Sequence, residues 1–249
     1  MSGHSKWSTI KHKKAAVDAK RGKVFTRLAK EVTLAAREGG GDPSTNVRLR
    51  LAVDKAKAGN MPKDNIERAI KRGTGEIEGG ELEEIIYEGY APHGVGILIE
   101  VVTDNRNRAI AEVRHAFNKQ GGSMAESGAV VWQFSRKGYI SITEEFEQDE
   151  VFLTAADGGA DDVRFEESMA EVFTDLEDLQ NVRIALEESG YALNEVSVIY
   201  EPSNTIELET SAALQVMKLV ESLEDLDDVQ NVYSALEISD EAMLALAAV

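Results

Sequence analysis

Ile85-Ile86-Tyr87-Glu88-Gly89-Tyr90-Ala91-Pro92-His93-Gly94-Val95-Gly96-Ile97-Leu98-Ile99-Glu100-Val101-Val102-Thr103 is the stretch that decides the fold class. Two apolar runs, Ile85–Tyr90 and Gly94–Thr103, flank the turn residues Ala91-Pro92-His93-Gly94, which predicts paired strands. Asn105 then caps a helix whose buried side carries Ala109, Val113, Ala116 and Phe117, and Gly121-Gly122 closes it. Strand, strand and helix in one continuous stretch predict α+β layers.

Upstream the pattern is helical throughout. Val24, Phe25, Leu28, Val32 and Ala35 recur at helical spacing over about 17–37, ended by Gly39-Gly40-Gly41. Asp42-Pro43 reads as a cap followed by proline at the first helical position. That second helix runs through Leu49, Val53 and Ala56 to about Gly59. Asp64 with Glu67 reads as a capping box opening a third, with Ile66 and Ile70 inward and Arg68, Lys71 and Arg72 outward.

Downstream of Gly122, the alternation of Val130, Trp132 and Phe134 predicts a strand, and Ser135-Arg136-Lys137-Gly138 a turn into Tyr139–Thr143. A helix near 148–156, strands near 163–165 and 170–173, a helix from Asp175 and a strand near 196–200 follow. A strand near 205–208 then leads into two C-terminal helices. The fifteen residues from Asp175 match the fifteen from Asp225 at ten positions, Gln-Asn-Val included, which suggests one related helix in each of two α+β units.

Charge is divided unevenly. The chain of 249 residues has a net charge of −18, yet residues 1–75 carry 18 basic and seven acidic residues, a balance of +11, and the remainder stands at −29. Such asymmetry points to nucleic-acid contact by the basic part, with the acidic part repelling phosphates. The stretch Gly3-His4-Ser5-Lys6-Trp7-Ser8-Thr9-Ile10-Lys11-His12-Lys13-Lys14 reads as an arm in which lysines neutralise phosphates. Trp7 either stacks on an unpaired base or packs on the neighbouring helices. The candidate binding residues are His4, Lys6, Trp7, Lys11, His12, Lys13, Lys14, Lys20, Arg21, Lys23, Lys63, Arg68, Lys71 and Arg72.

Enzyme chemistry finds little support. No cysteine is present, so thiolate metal sites, disulfides and cysteine nucleophiles are excluded. The glycine clusters Gly39–Gly41 and Gly73-Thr74-Gly75 neither follow a strand nor precede Gly-Lys-Ser/Thr, so they are not phosphate loops. His4, His12, His93 and His115 lack ligand spacing, and Asp157–Asp162 lacks the spacing and closing glutamate of a calcium loop. With Met1 removed, Ser2-Gly3-His4 offers a square-planar nitrogen set for Cu(II) or Ni(II), read here as incidental to the arm. The expectation is a non-enzymatic, cytoplasmic protein with nucleic acid as partner, no membrane span, no small-molecule substrate and no cofactor.

Five segments then resemble one family. They are Gly3-His4-Ser5-Lys6-Trp7, Met61-Pro62-Lys63-Asp64-Asn65-Ile66-Glu67-Arg68-Ala69-Ile70, Tyr87 to Gly94, Thr103-Asp104-Asn105-Arg106-Asn107-Arg108, and Gly128-Ala129-Val130-Val131-Trp132-Gln133-Phe134. They are similar to the YebC family, bacterial proteins called probable transcriptional regulators, with mitochondrial relatives that are translational activators. The resemblance implies an α+β multidomain fold: an N-terminal three-helix domain plus two ferredoxin-like α+β domains. It implies domain limits of 1–80, of 81–131 joined by 205–249, and of an inserted 132–204. It assigns no catalytic residue and favours the arm and 61–72 as binding surface. For function it implies either a ribosome-engaging factor that helps translation through difficult stretches such as proline runs, or a DNA-binding transcriptional regulator. An acidic adaptor for protein partners stands as a further alternative from the charge distribution.

Overall fold

The computed structural model describes residues 18–143, 145–166 and 168–247. The chain forms two compact units, one of residues 1–133 with 202–249, the other of residues 134–201.

The first unit opens with α1 (Asp18–Gly39), α2 (Val47–Ala58) and α3 (Lys63–Gly73). Their apolar stripes meet in one core of Leu28, Val32, Ala35, Leu49, Val53 and Ile66, all buried. Close approach of α1 and α3 depends on Gly73, where a Cβ would lie 2.3 Å from the Thr33 carbonyl oxygen. Beside it the Thr33 hydroxyl donates to the Ala69 carbonyl at 3.1 Å. Two caps differ from expectation. Asp42–Thr45 is a turn in which Asp42 accepts from the Ser44 amide, and α2 begins at Val47 behind Asn46. Likewise α3 starts behind Pro62 with no side-chain cap, so Asp64 sits inside the first turn, where it complements the helix dipole.

The same unit continues with β1 (Glu83–Tyr90), β2 (Gly96–Thr103), α4 (Arg106–Lys119) and β3 (Ser123–Met124). β1 and β2 pair antiparallel from Glu83↔Thr103 to Tyr90↔Gly96. Asn105 caps α4 by accepting from the Arg108 amide at 3.1 Å. Residues 131–133 form a 3-10 turn instead of the expected strand, and Trp132 is exposed. The turn expected at Ser135–Gly138 is likewise absent, because β4 (Phe134–Ile142) runs straight through it.

β4, α5 (Gln148–Gly158), β5 (Ala160–Glu166), β6 (Met169–Thr174), α6 (Leu179–Glu188) and β7 (Glu195–Pro202) make the second unit, with sheet order β5-β6-β4-β7. That is the β-α-β-β-α-β ferredoxin-like arrangement. The helix expected at Asp175 starts at Leu179, because Asp175 lies in the turn before it and pairs with Lys137 at 2.8 Å.

The chain then returns to the first unit through β8 (Ile206–Glu207), α7 (Thr210–Glu224), β9 (Val229–Ser234), β10 (Leu236–Glu237) and α8 (Asp240–Ala247). At the crossing, the Gln133 carbonyl accepts from the Ser203 amide at 2.7 Å. β9 joins the first sheet, whose order is β3-β1-β2-β9. This is again a ferredoxin-like sheet, but differently threaded: β1, which comes first in the chain, occupies the position that the third strand, β6, holds in the other unit. The two C-terminal helices are therefore not consecutive. The second copy of the sequence repeat is not a helix either: Gln180-Asn181-Val182 lies in α6, whereas Gln230-Asn231-Val232 lies in β9.

Candidate nucleic-acid interface

Apart from α2, where Arg48 pairs with Glu84 and Lys55 with Glu31, two groups of basic residues stand out in the helical part. α1 directs one row at the acidic segment 224–228. Lys23 donates to the Asp225 carbonyl at 2.9 Å and pairs with Asp227 at 3.3 Å. Arg27 donates to the carbonyls of Glu224 and Leu226. Its burial lowers the guanidinium pKa, against the pull of Glu224, Asp225 and Asp227. Lys30 reaches the Asp227 carbonyl at 3.1 Å and the Asp228 carboxylate at 2.6 Å.

Asp228 is the hub of this contact. It is buried, and it also accepts from the Thr103 hydroxyl at 2.9 Å and from Arg108 at 2.8 Å. Burial alone would raise its pKa, but hydrogen bonds from Lys30, Arg108 and Thr103 outweigh that and lower it. Arg108 is raised in turn by Asp228 and Asp104. Much of what the charge count assigns to a basic surface is therefore consumed in attaching the helices to the α+β part of the same unit. Lys23 keeps about half of its side chain, 47%, in solvent.

The second group is on α3. Ile66 and Ala69 turn inward, and Arg68, Lys71 and Arg72 turn outward with no carboxylate partner among the described residues. Lys63 is 88% exposed and only loosely paired with Glu67, at 3.6 Å. The methylenes of Arg72 lie against the Gly79 backbone, where a Cβ would be 2.5 Å from Cγ, so the side chain has a fixed bed. Arg37 adds an exposed cation at the last turn of α1, whose backbone abuts Gly73. Sequence reasoning passed over it, although its place one turn from the Gly39–Gly41 terminator was readable.

An open cleft of about 890 Å³ is lined by the basic Arg68, Arg72 and Lys30, by the acidic Glu78, Asp104, Glu112, Asp227 and Asp228, and by the apolar Phe25, Met61 and Ala69. Guanidinium groups free of carboxylates suit bidentate contact with phosphate oxygens.

Of the residues expected to bind, Lys23, Lys63, Arg68, Lys71 and Arg72 are on these helices. The structure groups Arg68 with Arg72 on the cleft and turns Lys23 toward Asp227. Lys20 and Arg21 fall in the first turn of α1, with side chains outside the described set, and His4, Lys6, Trp7, Lys11, His12, Lys13 and Lys14 lie outside the described residues. The Ser2-Gly3-His4 nitrogen set lies outside them as well. Among the described residues no three His, Asp or Glu side chains gather to hold a metal ion, and no helix is long and apolar enough to cross a membrane.

Comparison with known proteins agrees with this architecture. The family model for the TACO1/YebC N-terminal domain matches residues 5–76, and that for the TACO1/YebC second and third domain matches residues 82–236. The chain is 56% identical over 243 residues to the probable transcriptional regulatory protein GSU1074 of Geobacter sulfurreducens, covering 98% of each. It is 51% identical over 247 residues to a probable transcriptional regulatory protein of Halothermothrix orenii, again covering 98% of each. The crystal structure of the conserved hypothetical protein Aq1575 from Aquifex aeolicus superposes with a TM-score of 0.86 at 46% identity, over 93% of this chain and 96% of that one. With matches across both family models and the fold shared over nearly its whole length, the chain belongs to the TACO1/YebC family.

Proposed function

We propose that the protein is a non-enzymatic, nucleic-acid-binding regulator of gene expression that engages structured ribosomal RNA through its helical part and assists translation of difficult stretches, proline-rich ones among them. One observation carries the reading: α3 presents Arg68, Lys71 and Arg72 without carboxylate partners among the described residues, in a molecule whose residues 76–249 stand at −29. A basic tip on an acidic body suits entry into a folded RNA, where phosphates crowd together, better than lying along an extended duplex. The lysine-rich arm preceding α1 adds phosphate contacts, and Trp7 offers a stacking plane.

A second reading has its own support. Relatives are named probable transcriptional regulatory proteins, and α3 exposes Arg68, Lys71 and Arg72 beside Asn65, residue types that read base edges in a major groove. A competition titration separates the two, with labelled ribosomal RNA against unlabelled duplex DNA of equal phosphate count at about 150 mM salt. A preference for RNA of about tenfold or more is expected. Equal competition, or sequence-dependent duplex binding that survives this salt, rejects the RNA reading. The triple variant Arg68→Ala, Lys71→Ala, Arg72→Ala is expected to weaken RNA binding and flatten its log–log salt slope by about 0.7–0.9 per lost phosphate contact.

A further inference from the structure

Trp132 is 71% exposed, an unusual place for a tryptophan. Its mount is rigid. Glu88 on β1, itself 4% exposed, accepts from the amides of Gly128 and Val130 at 2.6 Å and of Val131 at 2.8 Å. The Val130 side chain is fully buried. The Tyr90 hydroxyl donates to the Ala129 carbonyl at 3.0 Å, and the Gln133 amide to the Val130 carbonyl at 2.9 Å. The ring is tied down too, since the Trp132 indole N–H donates to the Ala129 carbonyl at 2.9 Å. The single polar atom of the indole is thereby used inside the loop. What faces solvent is aromatic surface on a fixed support.

We infer that Trp132 is a cation–π receptor, built to take an arginine side chain from a basic segment of a partner protein. The face of an indole is the electron-rich part of its quadrupole, and tryptophan is the strongest of the aromatic side chains in this contact. With its N–H committed, the ring cannot add a hydrogen bond that would favour one base edge over another. Charge selects further: the α+β stretches that carry the ring, residues 76–133 and 202–249, hold 20 acidic and five basic residues, and remain acidic with Asp227 and Asp228 set aside as partners of Lys23 and Lys30. Such a field concentrates cations and disfavours the phosphates that a stacked nucleotide would bring with it. Arginine fits better than lysine, because its planar, weakly hydrated guanidinium lies flat on a ring at lower desolvation cost. The inference does not depend on what the basic helices bind.

The experiment uses the full chain carrying Trp7→Phe, which leaves Trp132 as the single tryptophan of the original two. A short blocked oligo-arginine peptide is titrated at about 150 mM salt, where remote charge attraction is screened. Saturable quenching of Trp132 emission is expected. Trp132→Leu, in the same background, is expected to weaken binding of a labelled form of that peptide about fivefold or more, with Trp132→Phe in between. Both replacements are at an exposed ring, and an unchanged unfolding midpoint verifies that the fold is kept. Unaltered peptide affinity in Trp132→Leu overturns the inference, as does peptide binding without quenching. Quenching by single-stranded oligouridylate but not by the peptide also overturns it, and makes the ring a base platform.

Discussion

Asn46 serves two helix ends at once. Its side-chain oxygen accepts from the Leu49 amide at 3.0 Å at the start of α2, while its amide nitrogen donates to the carbonyls of Ala35 at 2.8 Å and Gly40 at 2.9 Å, at the end of α1. Because the residue is buried, water cannot replace those bonds, and Asn46→Ala is expected to cost about 2–3 kcal/mol, read as a lower midpoint in denaturant. Asn46→Asp keeps the acceptor but turns a carboxylate oxygen toward both carbonyls, and is expected to cost at least as much as Ala. Glu88 makes a second prediction. Burial would raise its pKa, but three backbone N–H groups overcome that and hold it below the ordinary glutamate value. A carboxyl depressed on folding contributes stability that is fully present above its unfolded pKa, and this is lost as pH falls through the lower, folded one. Glu88→Gln is therefore expected to lose stability at neutral pH and to show a shallower acid limb in unfolding measurements below about pH 4. Both residues also explain where sequence reading failed locally. Asp42-Pro43 has the chemistry of a cap, but Asn46 wins because it reaches two helix termini. Val130-Val131-Trp132 alternates with Phe134 like a strand, yet its amides are claimed by a carboxylate some forty residues earlier. Glu88 is not visible within a local window, whereas Asn46 is, and only its double reach is not.

At the level of elements, α3 is held to α1 by an absence of side chain. Gly73→Val forces a branched side chain into a space where a Cβ alone would be 2.3 Å from the Thr33 carbonyl oxygen and 2.7 Å from the Ala36 Cβ. The expected cost is about 2–3 kcal/mol, from backbone displacement and overpacking, with weakened RNA binding because the displaced helix carries Arg68, Lys71 and Arg72. Calorimetry and the RNA titration measure the two effects separately. Helices with one-sided apolar stripes were legible from periodicity: α1, α2, α3 and α4 lie close to the positions that spacing predicts. The repeat shows why identity is weaker evidence than periodicity. In α6, Val182 is buried in a helix, whereas in β9 the equivalent Val232 pairs with Ile99 and Asn231 donates to Glu100 at 2.8 Å. A neighbouring strand, contributed from far away in the chain, decides the conformation of near-identical words.

For the whole molecule, the partition of charge was legible from the sequence alone, but its use was not. The α1 row of Lys23, Arg27 and Lys30 meets the segment 224–228, about two hundred residues away, so a count over residues 1–75 overstates the surface open to phosphates. No local pattern distinguishes a lysine that faces a polyanion from one that faces its own chain. Asp228 gathers three partners only because β2, α1 and α4 converge there. The hydrogen bond between Gln133 and Ser203 has a different kind of consequence. Sixty-eight residues, 134–201, leave and re-enter the rest of the chain through one point, with the two ends already in contact. Closing so long an excursion costs, in entropy, only about 2.5 kcal/mol more than closing a turn of about four residues, since the cost grows logarithmically with length. A protein in which residues 134–201 are replaced by a short Gly-Ser turn is therefore expected to fold, with the 83–103 hairpin and its Val232 pairing intact by amide exchange. In genetic terms the segment has the form of a cassette: because its ends already meet, a change in its length need not move the strands that it leaves and rejoins.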